Sequence, residues 1–283
     1  MYLNLGSRKL SYTATGHGPT PVVLLPGGPG FTRDYLSVVH QSLPENEFTV
    51  VSYNPSGSSG NENAPFYKSI AAFAREVRNV LETLNLGSAF ILGHSWGTAV
   101  VQEFLAQHPD TKVKGIILVN GFSSGVQLAG AIRKRVLELP AEFHERRNHL
   151  LTIGDGDGMD ALMAQFWFPR FVCRLPALPD SLLKSLAPLH ETAMYHYYIG
   201  HDVFDINGAI MSWDRRRELA KIRVPALVMS GEFDYGDRSD FDDLVNAIPN
   251  ATGWYEEGVS HLPMYEKPGS FNNSLLGFLR KHS

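Results

Sequence analysis

The chain holds a single cysteine, Cys173, among 283 residues. An internal disulfide framework is therefore excluded, and no second sulfur exists for a thiolate zinc site. Such usage suits a reducing compartment, and a cytoplasmic location is the expectation. Long apolar runs are also missing. Nothing approaches the roughly 20 residues needed to span a bilayer, and the opening MYLNLGSRKL has no apolar stretch of secretory-leader length. Basic charge is not in excess either: 25 Lys and Arg against 29 Asp and Glu leave a formal net charge of −4. The positive field that nucleic acid or an anionic membrane surface demands is absent, so neither partner is expected. No repeat or low-complexity tract is visible, and no motif bears on oligomeric state. What is present is 43% apolar residues, enough to bury a large core in one elaborated domain or two.

The apolar residues alternate between two periods. A short hairpin is predicted around Gly6-Ser7, followed by buried strands at PVVLL (21–25) and FTVVSYN (48–54). From Ser69 onward, Ile70, Phe73, Val77, Val80, Leu81 and Leu84 fall at helical spacing. SAFILGH, a helix from Trp96 to about His108, and the strand VKGIILVNG continue the alternation, which implies right-handed crossovers and a mostly parallel sheet buried on both faces. After Gly121 strand signals stop, and charged or aromatic helical stretches follow until VPALVMSGE (224–232), TGWYEE (252–257) and a closing helix. The expected organisation is an α/β core of residues 1–121 and 214–283, with residues 122–213 inserted as a helical lid. Within that lid, TIGDGDGMD is expected to be a loop; its D-G-D-G spacing lacks the terminal glutamate of a calcium loop, so no metal is expected there.

In ILGHSWGTAV (91–100), Gly93 and Gly97 flank Ser95 where strand gives way to helix. This G-x-S-x-G pattern forces a serine to the apex of a strand–turn–helix elbow. A serine hydroxyl is a poor nucleophile at neutral pH and needs a base, which in turn needs an orienting group. Loops at the carboxyl ends of parallel strands converge on one crevice. There the strand VPALVMSGE delivers Asp234, and the strand TGWYEE, through GVSH, delivers His261. Asp237 and Glu232 compete for the acid role, and position in the strand-end turn favours Asp234. His94 adjoins Ser95, but neighbours in an elbow point apart, which gives it a structural role. Oxyanion donors are expected from the N–H of Trp96, at the start of the helix, and of Gly28, in the loop Pro26-Gly27-Gly28-Pro29-Gly30. That loop lacks the dinucleotide pattern and the lysine of a phosphate-binding loop.

With GGPG, GHSWG, SGEFD and GVSHLPMYEKP in register, the sequence resembles the proline iminopeptidase branch of the α/β-hydrolases over nearly its whole length. NGFSS, ELPAEF and SWD extend the likeness into the lid. The resemblance implies an α/β-hydrolase fold, a Ser-His-Asp acyl-enzyme mechanism, cleavage of an N-terminal residue from a small amide or short peptide, and no metal or organic cofactor. Two departures bear on specificity. That branch grips the substrate amine with a glutamate directly after the catalytic aspartate and another in the lid, whereas this chain has Tyr235 and Val203, with Asp202 or Asp205 as possible substitutes. Gly27 and Tyr235 of the core and Asp202, Trp167 and Tyr197 of the lid are the candidate substrate contacts, and the lid also carries Phe166, Tyr195 and Tyr198. An ester or lactone, for example from secondary metabolism, is the rival substrate. A ligand-binding protein without turnover is a third reading, against which the complete Ser, Asp and His set argues.

Overall fold

The computed structural model describes residues 1–189 and 192–283. The hairpin forms as the turn residues dictate: β1 (Tyr2–Leu5) and β2 (Arg8–Thr15) pair antiparallel around Gly6, whose φ is 63°. β3 (Thr20–Leu25), α1 (Ser37–Ser42), β4 (Phe48–Tyr53), α2 (Ile70–Thr83), β5 (Ala89–His94), α3 (Trp96–Gln107) and β6 (Val113–Val119) follow in alternation. Helical pieces come next: α4 (Gly125–Leu137), α5 (Ala141–Ile153), α6 (Gly156–Leu162), a π-helical segment (Met163–Val172), α7 (Asp180–Leu186), α8 (Ala193–Tyr198) and two short 3₁₀ turns (Ala209–Ser212 and Leu219–Lys221). β7 (Ala226–Gly231), α9 (Arg238–Ala247), β8 (Ala251–Glu256), α10 (Pro263–Glu266) and α11 (Pro268–His282) close the chain.

The strands make one eight-stranded sheet in the order β1-β2-β4-β3-β5-β6-β7-β8, parallel from β4 through β8. Strand residues alternate between faces, and the central strands are apolar on both. Val23, Leu25, Ile91, Ile116, Leu118 and Val228 pack on the side of α2 and α3. Val22, Leu24, Phe90, Leu92, Ile117, Val119 and Met229 pack on the side of α1 and α11. α2 shows the amphipathic pattern read from its sequence, with Phe73, Val77 and Val80 buried and Arg75 and Arg78 exposed.

The ends of the helical segment between β6 and β7 lie side by side. Gly125 N–H donates to the Trp213 carbonyl at 2.9 Å and Arg215 N–H to the Ser123 carbonyl at 2.8 Å. Glu103 of α3 holds this junction, accepting from Trp213 Nε1 at 3.0 Å and Arg215 Nη2 at 2.9 Å. Burial alone would raise the Glu103 carboxyl; the hydrogen bonds from Arg215, Gln107 and Trp213 hold it below its ordinary range. TIGDGDGMD is not all loop, contrary to expectation: α6 starts at Gly156, and the Asp155 side chain caps it by accepting from Gly158 N–H at 2.9 Å. Two glycines in the first turn mask a helix whose stability comes from its cap and from the buried Leu162. Among the described residues, no helix is long and apolar enough to cross a membrane.

Candidate active site

Ser95 sits between β5 and α3 with φ 54° and ψ −121°, a conformation costly for a residue with a side chain. The flanking glycines explain how strand and helix close around it. A Cβ on Gly93 would lie 2.5 Å from the Gly97 carbonyl oxygen, and one on Gly97 would lie 2.5 Å from that of Leu25. The turn is further held by Ser95 N–H on the Val119 carbonyl at 2.9 Å and by Thr98 Oγ1 on the Ser95 carbonyl at 2.7 Å.

The ends of β7 and β8 bring two more groups to the same place. His261 Nδ1 lies 2.6 Å from Asp234 Oδ1, with both side chains buried. A carboxylate only accepts, so in the neutral ring Nδ1 carries the proton and Nε2 offers its lone pair. Arg135 of α4 fixes the turn below, donating to the Asp234 carbonyl at 2.9 Å and the Glu232 carbonyl at 2.7 Å. The competing acids are engaged elsewhere: Asp237 caps α9 and pairs with Lys134, and Glu232 accepts from Gly258 N–H at 2.9 Å.

Ser95 Oγ makes no direct hydrogen bond to His261 among the described residues. The Tyr235 hydroxyl stands between them, 3.1 Å from Ser95 Oγ and 2.5 Å from His261 Nε2. Its ring lies over the imidazole, with centroids 3.8 Å apart and planes inclined by 30°. Burial, and next the charge of Asp234, push the Tyr235 phenol well above its ordinary value.

His94 has the structural place expected of it. Burial drives its pKa well below the usual value, and the neutral ring bridges two loops. Nε2 is 2.8 Å from the His261 carbonyl and Nδ1 is 2.8 Å from the Tyr35 hydroxyl, which itself accepts from Gly27 N–H at 2.8 Å. The buried Tyr35 thus ties the 26–30 loop to the serine elbow, a link between distant segments with no local sequence signal. Gly27 is used in this support, and the next residue turns toward the crevice: Gly28 has φ 112°. Among the described residues neither the Gly28 nor the Trp96 N–H donates a hydrogen bond, and both residues line the cavity above Ser95.

That cavity, about 430 Å³, is bounded by Ser95, His261 and Tyr235 and by helical-segment residues including Met163, Trp167, Leu186, Tyr195, Ile199 and Val203. Most of its wall is apolar. Asp202 lines it but is paired: Oδ2 lies 2.5 Å from Arg147 Nη2, and Oδ1 accepts from Phe204 N–H at 2.8 Å. Asp205 is exposed and bound to Arg133 at 2.9 Å. Trp167 and Tyr195 face the cavity, whereas Phe166, Tyr197 and Tyr198 do not line it. Tyr197 is the clearest departure from expectation, because its hydroxyl donates to the Lys68 carbonyl at 3.1 Å and its ring packs on Phe66. Tyr195 and Tyr197 are two residues apart, about 200° around a helix, so one facing the cavity turns the other away.

An elbow serine and a buried His–Asp pair at the carboxyl ends of a mostly parallel sheet define a class of fold. The chain belongs to the alpha/beta hydrolase fold family, which matches residues 20–268, and it is a hydrolase. It is similar to the proline iminopeptidase of Chitinophaga pinensis, with 28% identity over 277 residues, covering 94% of this chain and 92% of that protein. Among solved structures, VinJ superposes with a TM-score of 0.92 at 24% identity, covering 100% of this chain and 98% of the other. The proline iminopeptidase of Mycobacterium smegmatis superposes with a TM-score of 0.89, also at 24% identity and with the same coverages. These two likenesses bear on fold alone.

Proposed function

We propose that this hydrolase works through an acyl-enzyme on Ser95, with His261 as the base, Asp234 orienting it, and the N–H groups of Gly28 and Trp96 as the oxyanion hole. The observation that carries the reading is the convergence of the strained elbow serine, the 2.6 Å His261–Asp234 contact and two unengaged N–H groups on one cavity. Ser95 attacks the carbonyl carbon while its proton passes to His261 Nε2, and the carbonyl oxygen becomes an oxyanion facing the two donors. Each such donor is worth about 3 to 4 kcal/mol in the transition state. Collapse of the intermediate expels the amine or alcohol, which takes the proton from His261. A water molecule activated by the same base then releases the acid. Residues 122–213 act as a lid that roofs the cavity over the α/β core of residues 1–121 and 214–283.

The substrate class is a small amide or short peptide, in line with the proline iminopeptidases that the chain is similar to. A second reading, an ester or lactone, is favoured by one feature of the site: the positions that would grip an ammonium carry a phenol (Tyr235) and an isopropyl group (Val203), and Asp202 is already neutralised by Arg147. A site built around paired carboxylates rejects the acetylated amine strongly, because those charges are left unpaired. Without them the discrimination shrinks. Free-amine and N-acetylated forms of the same aminoacyl-naphthylamide are expected to differ by less than about tenfold in kcat/KM, roughly 1.4 kcal/mol. A p-nitrophenyl ester series run alongside separates amidase from esterase. A thousandfold preference for the free amine would mean that Asp202, Asp205 or another lid carboxylate, such as Asp157, which also lines the cavity, holds the ammonium, and the aminopeptidase reading would then stand unmodified.

A further inference from the structure

The contact between Ser95 and Tyr235 sets a problem for catalysis. His261 Nε2 has one in-plane lone pair, and the Tyr235 hydroxyl, at 2.5 Å, already occupies it. Ser95 Oγ lies 3.1 Å from the same phenol oxygen; with the phenol proton given to Nε2, the Ser95 hydroxyl donates to Tyr235 and not to the base. We propose that Tyr235 is a substrate-displaced latch: its hydroxyl holds Ser95 and His261 apart in the empty site, and an apolar acyl group filling the cavity moves it aside so that Ser95 bonds His261 directly. The proposal rests on the assignment of Ser95 as nucleophile.

Geometry favours displacement over a proton relay through the phenol: Ser95 Oγ stands 3.1 Å from the Tyr235 oxygen, beyond the usual range of about 2.5 to 3.0 Å for an O–H···O bond, so the first transfer of a relay is poorly set. Burial and the Asp234 charge also oppose any build-up of negative charge on the phenol oxygen during such a relay.

The surroundings show what moves the latch. On the cavity side Tyr235 is stacked near Trp167, with centroids 6.1 Å apart and planes inclined by 25°. Trp167 and Tyr235 both line the cavity, so an occupant long enough to reach Trp167 competes for the space beside the phenol ring. A short acyl group bonds at Ser95 without filling that space and gains nothing with which to displace the ring. Activation is thereby coupled to apolar bulk, which makes Tyr235 a positioning and specificity-determining residue. Among the substrates proposed above, it selects those whose acyl side is extended and apolar.

The test is the rate of Ser95 phosphonylation by two probes that differ only in alkyl length, ethyl and decyl fluorophosphonate, in the whole protein and in Tyr235→Phe. The wild type is expected to react at least about tenfold faster with the decyl probe. Tyr235→Phe keeps the ring but removes the interposed oxygen, so the ethyl rate should rise about fivefold or more while the decyl rate changes less than twofold. Tyr235→Leu, which also removes the ring, should raise the ethyl rate at least as far, and thermal melts confirm that both variants are folded. An unchanged ratio of the two rates in both variants overturns the latch. A fall of tenfold or more with both probes in Tyr235→Phe also overturns it and makes the hydroxyl a proton relay. If neither probe modifies Ser95 in any of the three proteins, the nucleophile assignment itself fails, an outcome distinct from failure of the latch alone.

Discussion

Replacing Ser95 with alanine is expected to lower kcat by about 10⁶-fold while leaving the protein folded, because the proposed triad would act as a unit and removing its proposed nucleophile would forfeit nearly all of its contribution. The Ser95 hydroxyl bonds only the Tyr235 hydroxyl among the described residues, so its loss leaves no buried group without an alternative partner. The strain at the elbow belongs to the backbone and remains, since alanine tolerates φ 54° no better than serine. Residual hydrolysis of a p-nitrophenyl ester, followed over hours, measures the effect. A loss of only about tenfold would place the nucleophile elsewhere.

The second large effect concerns the acid. Asp234→Asn is expected to lower kcat by about 10⁴-fold with little change in the thermal midpoint. The amide can donate where the carboxylate accepts, and that inverts the imidazole: Nδ1 becomes the acceptor and Nε2 carries the proton. A protonated Nε2 cannot take the Ser95 proton. Asp237→Asn provides the contrast. Asp237 caps α9, accepting from Ser239 N–H at 2.8 Å, and asparagine is an equally good N-cap, so activity and stability should both stay close to wild type. Paired kcat measurements on the two variants decide between the acids. Equal damage from both substitutions would mean that the turn after β7, and not the His261–Asp234 contact, controls the rate.

The sheet and the core helices were legible in the sequence because buried parallel strands are short continuous apolar runs. PVVLL, FTVVSYN, SAFILGH and VPALVMSGE each became a strand within two or three residues of the expected limits. The elbow was legible for a steric reason, since a Cβ at Gly93 or Gly97 would come within 2.5 Å of a backbone carbonyl oxygen, so only glycine fits at either position. Other features escaped because they depend on contacts between distant segments. The pairing of Asp202 with Arg147, the link from Tyr35 to His94, and the place of the Tyr235 hydroxyl between Ser95 and His261 are all set by tertiary packing. In the helical segment, local propensity misled at Gly156 and Gly158, where a capped helix overrides two unfavourable residues. The aromatic residues there announced an apolar pocket, but which of them line it follows from helix phase: Tyr195 faces the cavity and Tyr197 the 66–68 stretch.

Mapping the site of covalent inhibition decides whether Ser95 is the nucleophile. The protein is treated with a fluorophosphonate until hydrolysis of an ester substrate has stopped, and the adduct is located by peptide mass spectrometry. One adduct per chain is expected on the Ser95 hydroxyl, appearing in proportion to the activity lost, with no adduct in Ser95→Ala. Full inhibition with the adduct on another residue, or undiminished activity with Ser95 fully modified, would contradict the nucleophile assignment.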